Sequence, residues 1–331
     1  MKLSIIIPAY NAALYIDKCI RSCENQDISQ EDYEIIIVDD GSIDNTKECI
    51  EQLQKDFNNI IYIYQVNSRQ GAARNNGLNH AKGKYIWYVD ADDWIESNCL
   101  CEIINKLEED NLTALAVRHA KYYGEKLKLW VALDEKTINS GKDVLQGKKM
   151  LVSPTYCIWD RTYLLNQQLF FLENIFHEDS EIYPRMYYNA ERIGFYNRVC
   201  YYIYESDNST TRSNNPQRAI DVITVVQHLQ RFCDAIVSKE IKKAIRQYIC
   251  SMINMSLYNT YTLSDENIKE LNNHWAKNRI LFNNLTKCNI CKYKIEGFLF
   301  KLFPNHVSQI YQLMQKWNSD PGKMKQQSNL R

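Results

Sequence analysis

Four short runs rich in isoleucine, valine and tyrosine stand in the first part of the chain: Ser4–Ile7, Glu34–Val38, Ile60–Tyr64 and Tyr85–Val89. Their apolar character is continuous, not alternating, which predicts strands covered on both faces. Between them the period changes. Ile16, Cys19, Ile20 and Cys23 recur at helical spacing, as do Thr46, Cys49, Ile50 and Leu53, and later Leu100, Ile103, Ile104 and Leu107. The alternation predicts an α/β fold, a mostly parallel sheet with helices on both faces. Sheets of this kind bind ligands beyond the carboxyl ends of their strands. Those ends are polar here: Pro8-Ala9-Tyr10-Asn11, Asp39-Asp40-Gly41-Ser42, a loop reaching Asn67, and Asp90-Ala91-Asp92-Asp93.

From about Pro216 onward the periodicity is helical, with Ile220, Ile223, Thr224 and Gln227 as one stripe, and Gly and Pro are nearly absent until Gly297. The expected organisation is a sheet domain over 1–215, a helical region over 216–318 and a disordered polar tail over 319–331. The aromatic stretch Gly297–Pro304 reads as a helix packed on the main domain, in preference to a membrane-surface contact, because its polar face is not strongly basic.

Length and charge narrow the function. At 331 residues with 45% hydrophobic content the chain suffices for a sizeable domain and an annex. Forty basic residues balance forty acidic ones, so no global field draws the protein to nucleic acid. Eleven scattered cysteines in so long a chain suit a reducing cytosol. The lone pair Cys288 and Cys291 lacks the four ligands of a structural zinc site and reads as ordinary helix. No run of 18 apolar residues and no cleavable leader is visible, which predicts a cytoplasmic protein, at most peripheral to the membrane.

Four constellations carry candidate chemistry. Asp90, Asp92 and Asp93 crowd carboxylates at one strand end, where repulsion is costly unless a cation or hydrogen-bond donors intervene. Mg2+ or Mn2+ would take one or two of these carboxylates and complete its shell with diphosphate oxygens. An acidic turn capping the next helix is the plainer account. Asp39 or Asp40 could accept from a pyrimidine N–H or a ribose hydroxyl, while Gly41 turns the chain and Asp44 caps a helix near Asn45. Arg74, one turn into a helix opened by Gly71-Ala72-Ala73, could meet phosphate or pair with the acidic cluster. In His177-Glu178-Asp179-Ser180-Glu181, one carboxylate could serve as a general base, or all could simply favour a helix N-terminus.

In order, these strings resemble the inverting glycosyltransferases of family 2, which have the GT-A fold. The matching text is Ser4 to Asn11, Val38 to Thr46, Gly71 to Gly77 and Val89 to Ile95, followed by Trp159-Asp160-Arg161-Thr162-Tyr163, similar to W-N-K-x-Y, and Glu178-Asp179, similar to the family's E-D pair. The resemblance covers roughly residues 1–212. It implies a nucleotide-diphospho-sugar donor, a saccharide or lipid-linked acceptor and a place in surface-polysaccharide assembly. Pro8, Tyr10, Asp39 or Asp40, Asn67 and Arg74 would surround the nucleoside. Asp90 would touch ribose or phosphate, Asp92 would bind the metal, and Asp179 would be the base of a single inverting displacement. Three departures stand out: no histidine between Tyr204 and Arg212, Arg161 in place of lysine, and no arginine between Tyr202 and Thr210. They imply a sparser metal shell and leave acceptor contacts open.

Other readings remain. A nicotinamide enzyme would need G-x-G-x-x-G after the first strand, and a sugar-nucleotide pyrophosphorylase would need a glycine-rich loop there; Pro-Ala-Tyr-Asn is neither. A non-catalytic sugar- or partner-binding module of the same fold is the other alternative.

Overall fold

The computed structural model describes residues 1–123, 126–130, 137–147, 151–204 and 215–318. The chain forms two compact units, Met1–Thr210 and Thr211–Arg331. The expected disordered tail over 319–331 and most of the segment from Tyr204 to Arg212 lie outside the described residues.

The first unit is built on strands β1 (Leu3–Ala9), β2 (Tyr33–Asp39), β3 (Ile60–Tyr64), β4 (Tyr85–Tyr88), β5 (Trp94–Ile95), β6 (Ala114–Tyr123), β7 (Lys126–Trp130), β8 (Cys157–Asp160) and β9 (Ile193–Tyr204). They form one sheet in the order β3-β2-β1-β4-β8-β6-β9-β5, with β7 paired to β6. The β3-β2-β1-β4 half is wholly parallel, with Ile5 opposite Ile35 and Trp87. Beyond β4 the sheet turns mixed: β8 is antiparallel to both β4 and β6, whereas β6 and β9 run parallel.

Local sequence explains the parallel half. Ile5, Ile6, Ile7, Ile35, Ile36 and Ile37 are all fully buried, as continuous apolar strands under helices must be. Removing each such side chain from water contributes about 1.5–3 kcal/mol before conformational costs are counted. The covering helices are α1 (Ile16–Glu24), α2 (Thr46–Leu53), α3 (Arg69–His80), α4 (Leu100–Glu109), α5 (Gly141–Gln146), α6 (Arg161–Asn166) and α7 (Glu178–Tyr188). Helix α1 buries Ile16, Cys19, Ile20 and Cys23, and α4 buries Leu100, Ile103, Ile104 and Leu107, the stripes that the periodicity predicts.

The second unit is helical: α8 (Gln217–Ala235), α9 (Lys239–Tyr258), α10 (Asp265–Lys277), α11 (Asn283–Lys287), α12 (Cys291–Leu302) and α13 (Val307–Asn318). Trp275 stacks on Phe282 at 5.3 Å, and Phe282 meets Phe300 at 5.4 Å. Two expectations need correction in part. Helix α8 forms where the periodicity predicts it and buries Ala219, Asp221, Val222, Ile223, Val225, Val226, Leu229 and Cys233, so of the stripe Ile220, Ile223, Thr224 and Gln227 only Ile223 is buried and the others are half-buried; several faces of the helix are covered, and a single-face reading captures only part of them. Of the pair read as ordinary helix, Cys291 is the first residue of α12, whereas Cys288 lies just outside a helix as the C-terminal cap of α11, and all eleven cysteines are free thiols. Among the described residues no helix is long and apolar enough to cross a membrane.

Candidate active site

The loops after β1, β2 and β3 are laced together by the residues that make the sequence motif. Asn11 accepts from the Ile43 N–H, and its own N–H donates to Ser42 Oγ, each at 2.9 Å. The Ala12 N–H donates to Thr46 Oγ1 at 2.8 Å, and the Ala13 N–H to Asp44 Oδ2 at 3.1 Å. Gly41 has φ +78°, and a Cβ there would meet Asn67 N at 3.0 Å, so both conformation and space require glycine. Asn67 Nδ2 donates to the Asp40 carbonyl at 2.9 Å. Asp44 does accept from the Thr46 N–H, although the residue at the cap position is Asn45.

This lacing uses several expected ligand-binding groups. Asp39 is buried, accepting from the Ser42 N–H at 2.8 Å and from the Tyr62 hydroxyl at 2.8 Å. Asp40, also buried, accepts from Gln65 Nε2 at 2.8 Å and from the Ser68 N–H at 2.7 Å, at the start of α3. Pro8 is half-buried at the rim, while Tyr10 stands 54% exposed just beyond it.

Helix α3 joins this rim to the acidic segments. A Cβ on Gly71 would come within 2.6 Å of the Leu172 carbonyl, and one on Gly77 within 2.4 Å of Ile6 Cγ2. The two motif glycines therefore let α3 press on β1 from one side and on the 171–178 segment from the other. Asn75, to which the sequence alone assigns no role, brackets the Phe171 main chain: its Oδ1 accepts from the Phe171 N–H at 2.8 Å and its Nδ2 donates to the Phe171 carbonyl at 2.9 Å. Beside it, buried Arg74 donates to Asp90 Oδ1 at 2.9 Å and to Glu178 Oε1 at 2.7 Å. Burial works against the guanidinium charge, but Asp90 and Glu178 hold it protonated. Of the two acids, Glu178 is 1% exposed and Asp90 is 35% exposed, so only Asp90 offers a face to a ligand.

The carboxylates around Arg74 are under electrostatic pressure. Burial, then the charge of Asp90, pushes Asp92 up to about 6. Apart from its own backbone N–H, no group of the described residues hydrogen-bonds the Asp92 carboxylate. Asp93 is buried and pushed well up by burial and by both neighbouring aspartates; it accepts from the Tyr201 hydroxyl at 2.7 Å and the Tyr204 N–H at 2.8 Å. Tyr201 also accepts from the Asp90 N–H at 3.0 Å, tying the acidic turn to β9. Asp179, half-buried in the first turn of α7, is raised by burial, and the same Arg74 and Asp90 act on its charge. Its Oδ1 accepts from the Ser180 N–H at 2.6 Å.

Backbone strain borders both helix starts: Arg69 has φ +65° and His177 φ +64°, values that cost a side-chain-bearing residue free energy. The Arg69 guanidinium lies 4.1 Å from the Phe176 ring, packing these two starts together.

Thus Arg74, Asp90, Asp92 and Asp179 belong to one electrostatic cluster, while Asp40 and Asn67 reach it only through the start of α3. Asp39 faces Tyr62 on the sheet side. Among the described residues no three His, Cys, Asp or Glu side chains are placed to hold a metal ion by themselves. A cleft of about 540 Å³ lies elsewhere, lined by Asp17, Lys18, Arg21, Trp94, Glu96 and Tyr202, and includes none of the cluster.

Comparison with known proteins agrees with this architecture. Residues 4–167 match the model for glycosyl transferase family 2. A poly(ribitol-phosphate) beta-glucosyltransferase of Bacillus spizizenii is 44% identical over 112 residues, 33% of this chain and 18% of that protein. A GalNAc(5)-diNAcBac-PP-undecaprenol beta-1,3-glucosyltransferase of Campylobacter jejuni is 40% identical over 110 residues, 33% of this chain and 35% of its own length. These matches span about a fifth to a third of the curated relatives. The crystal structure of Staphylococcus aureus TarS 1–349 in complex with UDP-GlcNAc superposes with a TM-score of 0.76 over 95% of this chain and 92% of that one, at 20% identity. The family match identifies residues 4–167 as a glycosyl transferase family 2 domain, and the strand order with the structural likeness gives the chain the GT-A fold.

Proposed function

We propose that the chain transfers a glycosyl group from a nucleotide-diphosphate sugar, a UDP-sugar in the first instance, to a saccharide or lipid-linked saccharide, inverting the anomeric centre. The observation that carries the proposal is the meeting of Asp90 and Asp92 from the β4 end, Arg74 from α3 and Asp179 from α7 in one cluster. A UDP-sugar is favoured because the S. aureus neighbour holds UDP-GlcNAc. A lipid-linked saccharide acceptor follows the name of the C. jejuni relative.

In this reading Tyr10 and Pro8 flank the base, with Asp39, Asp40 and Asn67 fixing the loops against which the nucleoside rests. Asp90, steered by Arg74, receives the ribose or a phosphate-bound group. Asp92 is the metal ligand. An aspartate raised by burial and a like charge, and hydrogen-bonded only by its own backbone N–H, fits a shared cation of the Mg2+ or Mn2+ type that would be held jointly with diphosphate oxygens. Such an ion, when bound, neutralises charge on the departing nucleoside diphosphate.

Asp179 is suited to a general base. Its Oδ1 is anchored by the Ser180 N–H, and its Oδ2 makes no hydrogen bond among the described residues. Burial raises its affinity for a proton, which matches it to the proton leaving an acceptor hydroxyl as that oxygen attacks the anomeric carbon. One base and one in-line attack give inversion. The setting is surface-glycan assembly, in the cytoplasm or at the inner membrane face.

The deciding experiment is a thermal-shift screen of UDP-, GDP- and dTDP-sugars with Mn2+, followed by transfer of a labelled sugar to candidate acceptors. One nucleotide class should raise the melting temperature, by about 2.7 kcal/mol of apparent stability at a hundredfold excess over its Kd, and chelation should erase the shift. No stabilisation and no label transfer with any donor would overturn the proposal.

A further inference from the structure

We infer that the outward face of α12, with the turn that follows it, is a docking surface for a bilayer carrying anionic headgroups. The inference goes beyond the transfer chemistry and does not depend on it. Ile290, Ile295, Phe298, Leu302 and Phe303 are each between 42% and 62% exposed, a concentration of large apolar side chains within one short segment. Ile295, Phe298 and Leu302 follow i, i+3, i+7 spacing, so they form one stripe along the helix.

Packing fixes this stripe outward. Gly297 approaches α11 so closely that a Cβ would lie 2.7 Å from Leu285 Cβ, and Phe300 is fully buried against Phe282. Glu296 is also buried, accepting from Asn254 Nδ2 at 2.9 Å. Rotating the helix to hide Phe298 would expose that carboxylate's partners and drive Gly297 off α11.

Charge selects the occupant. The stretch 297–304 alone carries a single lysine and so reads as weakly basic, but the wider segment does not: in a chain with equal numbers of acids and bases, residues 283–318 carry Lys287, Lys292, Lys294, Lys301 and Lys316 against a single acid, the buried Glu296. Lys294 and Lys301 are exposed beside the apolar stripe. A second copy of the chain would bring these lysines against one another with no acid to receive them, and protein interfaces are depleted of lysine at their cores. A membrane interface suits both parts of the pattern: Phe and Leu enter the headgroup boundary, while lysine stems lie along apolar surface and their ammonium groups reach anionic lipid. With no helix among the described residues able to span, α12 would lie in the membrane plane.

The test is flotation of the full chain with vesicles of phosphatidylcholine alone or mixed with phosphatidylglycerol. Recovery is expected with the mixed vesicles and should fall as salt rises. Phe298→Ser with Leu302→Ser should weaken binding about tenfold or more, and Lys294→Gln or Lys301→Gln about fivefold each. All these side chains are exposed, so unchanged unfolding midpoints will show that the variants fold. Absence of flotation, equal recovery on neutral vesicles, or self-association abolished by the apolar double variant without vesicle binding would each overturn the inference. A negative nucleotide-sugar screen would leave a positive flotation result standing.

Discussion

Replacing Asp92 with asparagine should make the protein more stable at neutral pH while disabling it. The carboxylate sits beside Asp90 with no hydrogen-bond donor beyond its own backbone, and its proton affinity is raised from 3.8 to about 6. An acid raised in the fold favours the folded state only while protonated. Its contribution is complete below about pH 4, declines as pH rises toward 6, and is lost above that. A tenfold change in proton affinity corresponds to about 1.36 kcal/mol, so a rise of roughly a hundredfold bounds the penalty near 3 kcal/mol. Because Asp92 is only partly buried, solvent screening brings the realised figure to about 1–3 kcal/mol. The asparagine side chain carries no charge at any of these pH values and relieves Asp93 as well. Urea unfolding of parent and Asp92→Asn in chelator should therefore give curves that coincide near pH 4 and separate by about 1–3 kcal/mol at pH 8. In parallel, calorimetric titration of a UDP-sugar with Mn2+ should lose its metal-dependent component in the variant. A gap independent of pH, or a variant less stable at pH 8, would show that the crowding of aspartates is not the source of the strain.

Asp179→Asn should lower the turnover rate by about 10²–10⁴-fold while leaving donor affinity within a few-fold, since the base acts on the acceptor proton. In the parent, kcat should fall as pH drops through a value above the usual aspartate range, because burial raises Asp179; a flat profile there would contradict the assignment. Arg74→Ala strands buried Glu178 without its partner and should cost about 3–5 kcal/mol in urea unfolding. Gly77→Ala places a methyl 2.4 Å from Ile6 Cγ2; overpacking of about 1–3 kcal/mol should appear as a lower melting temperature with unaltered ligand specificity.

The parallel half of the sheet is legible from sequence because its strands are continuous isoleucine runs and its helices are amphipathic on one side. The other half is not: β6 mixes Arg118 and His119 among alanines, and its pairing with β9 spans distant segments with register shifts at Val117 and Arg118. The α8 stripe is incomplete for a related reason, since burial on several sides blurs the single-face signal. In the site, Asp90, Asp92 and Asp179 stand out as motif letters. What Asn75 and Tyr201 do there depends on partners 96 and 111 positions away, which no local pattern encodes.

The grip of Asn75 is on the main chain of Phe171, through both its N–H and its carbonyl. A clasp on peptide groups is indifferent to side-chain identity. A change of side chain at Phe171 would therefore disturb its edge-on contact with Tyr88 but not the clasp itself, and the segment would stay tied to α3, next to the start of α7 that Arg74 holds through Glu178. In the proposed reaction, this tie would keep Asp179 in place while the side chain beside it changes.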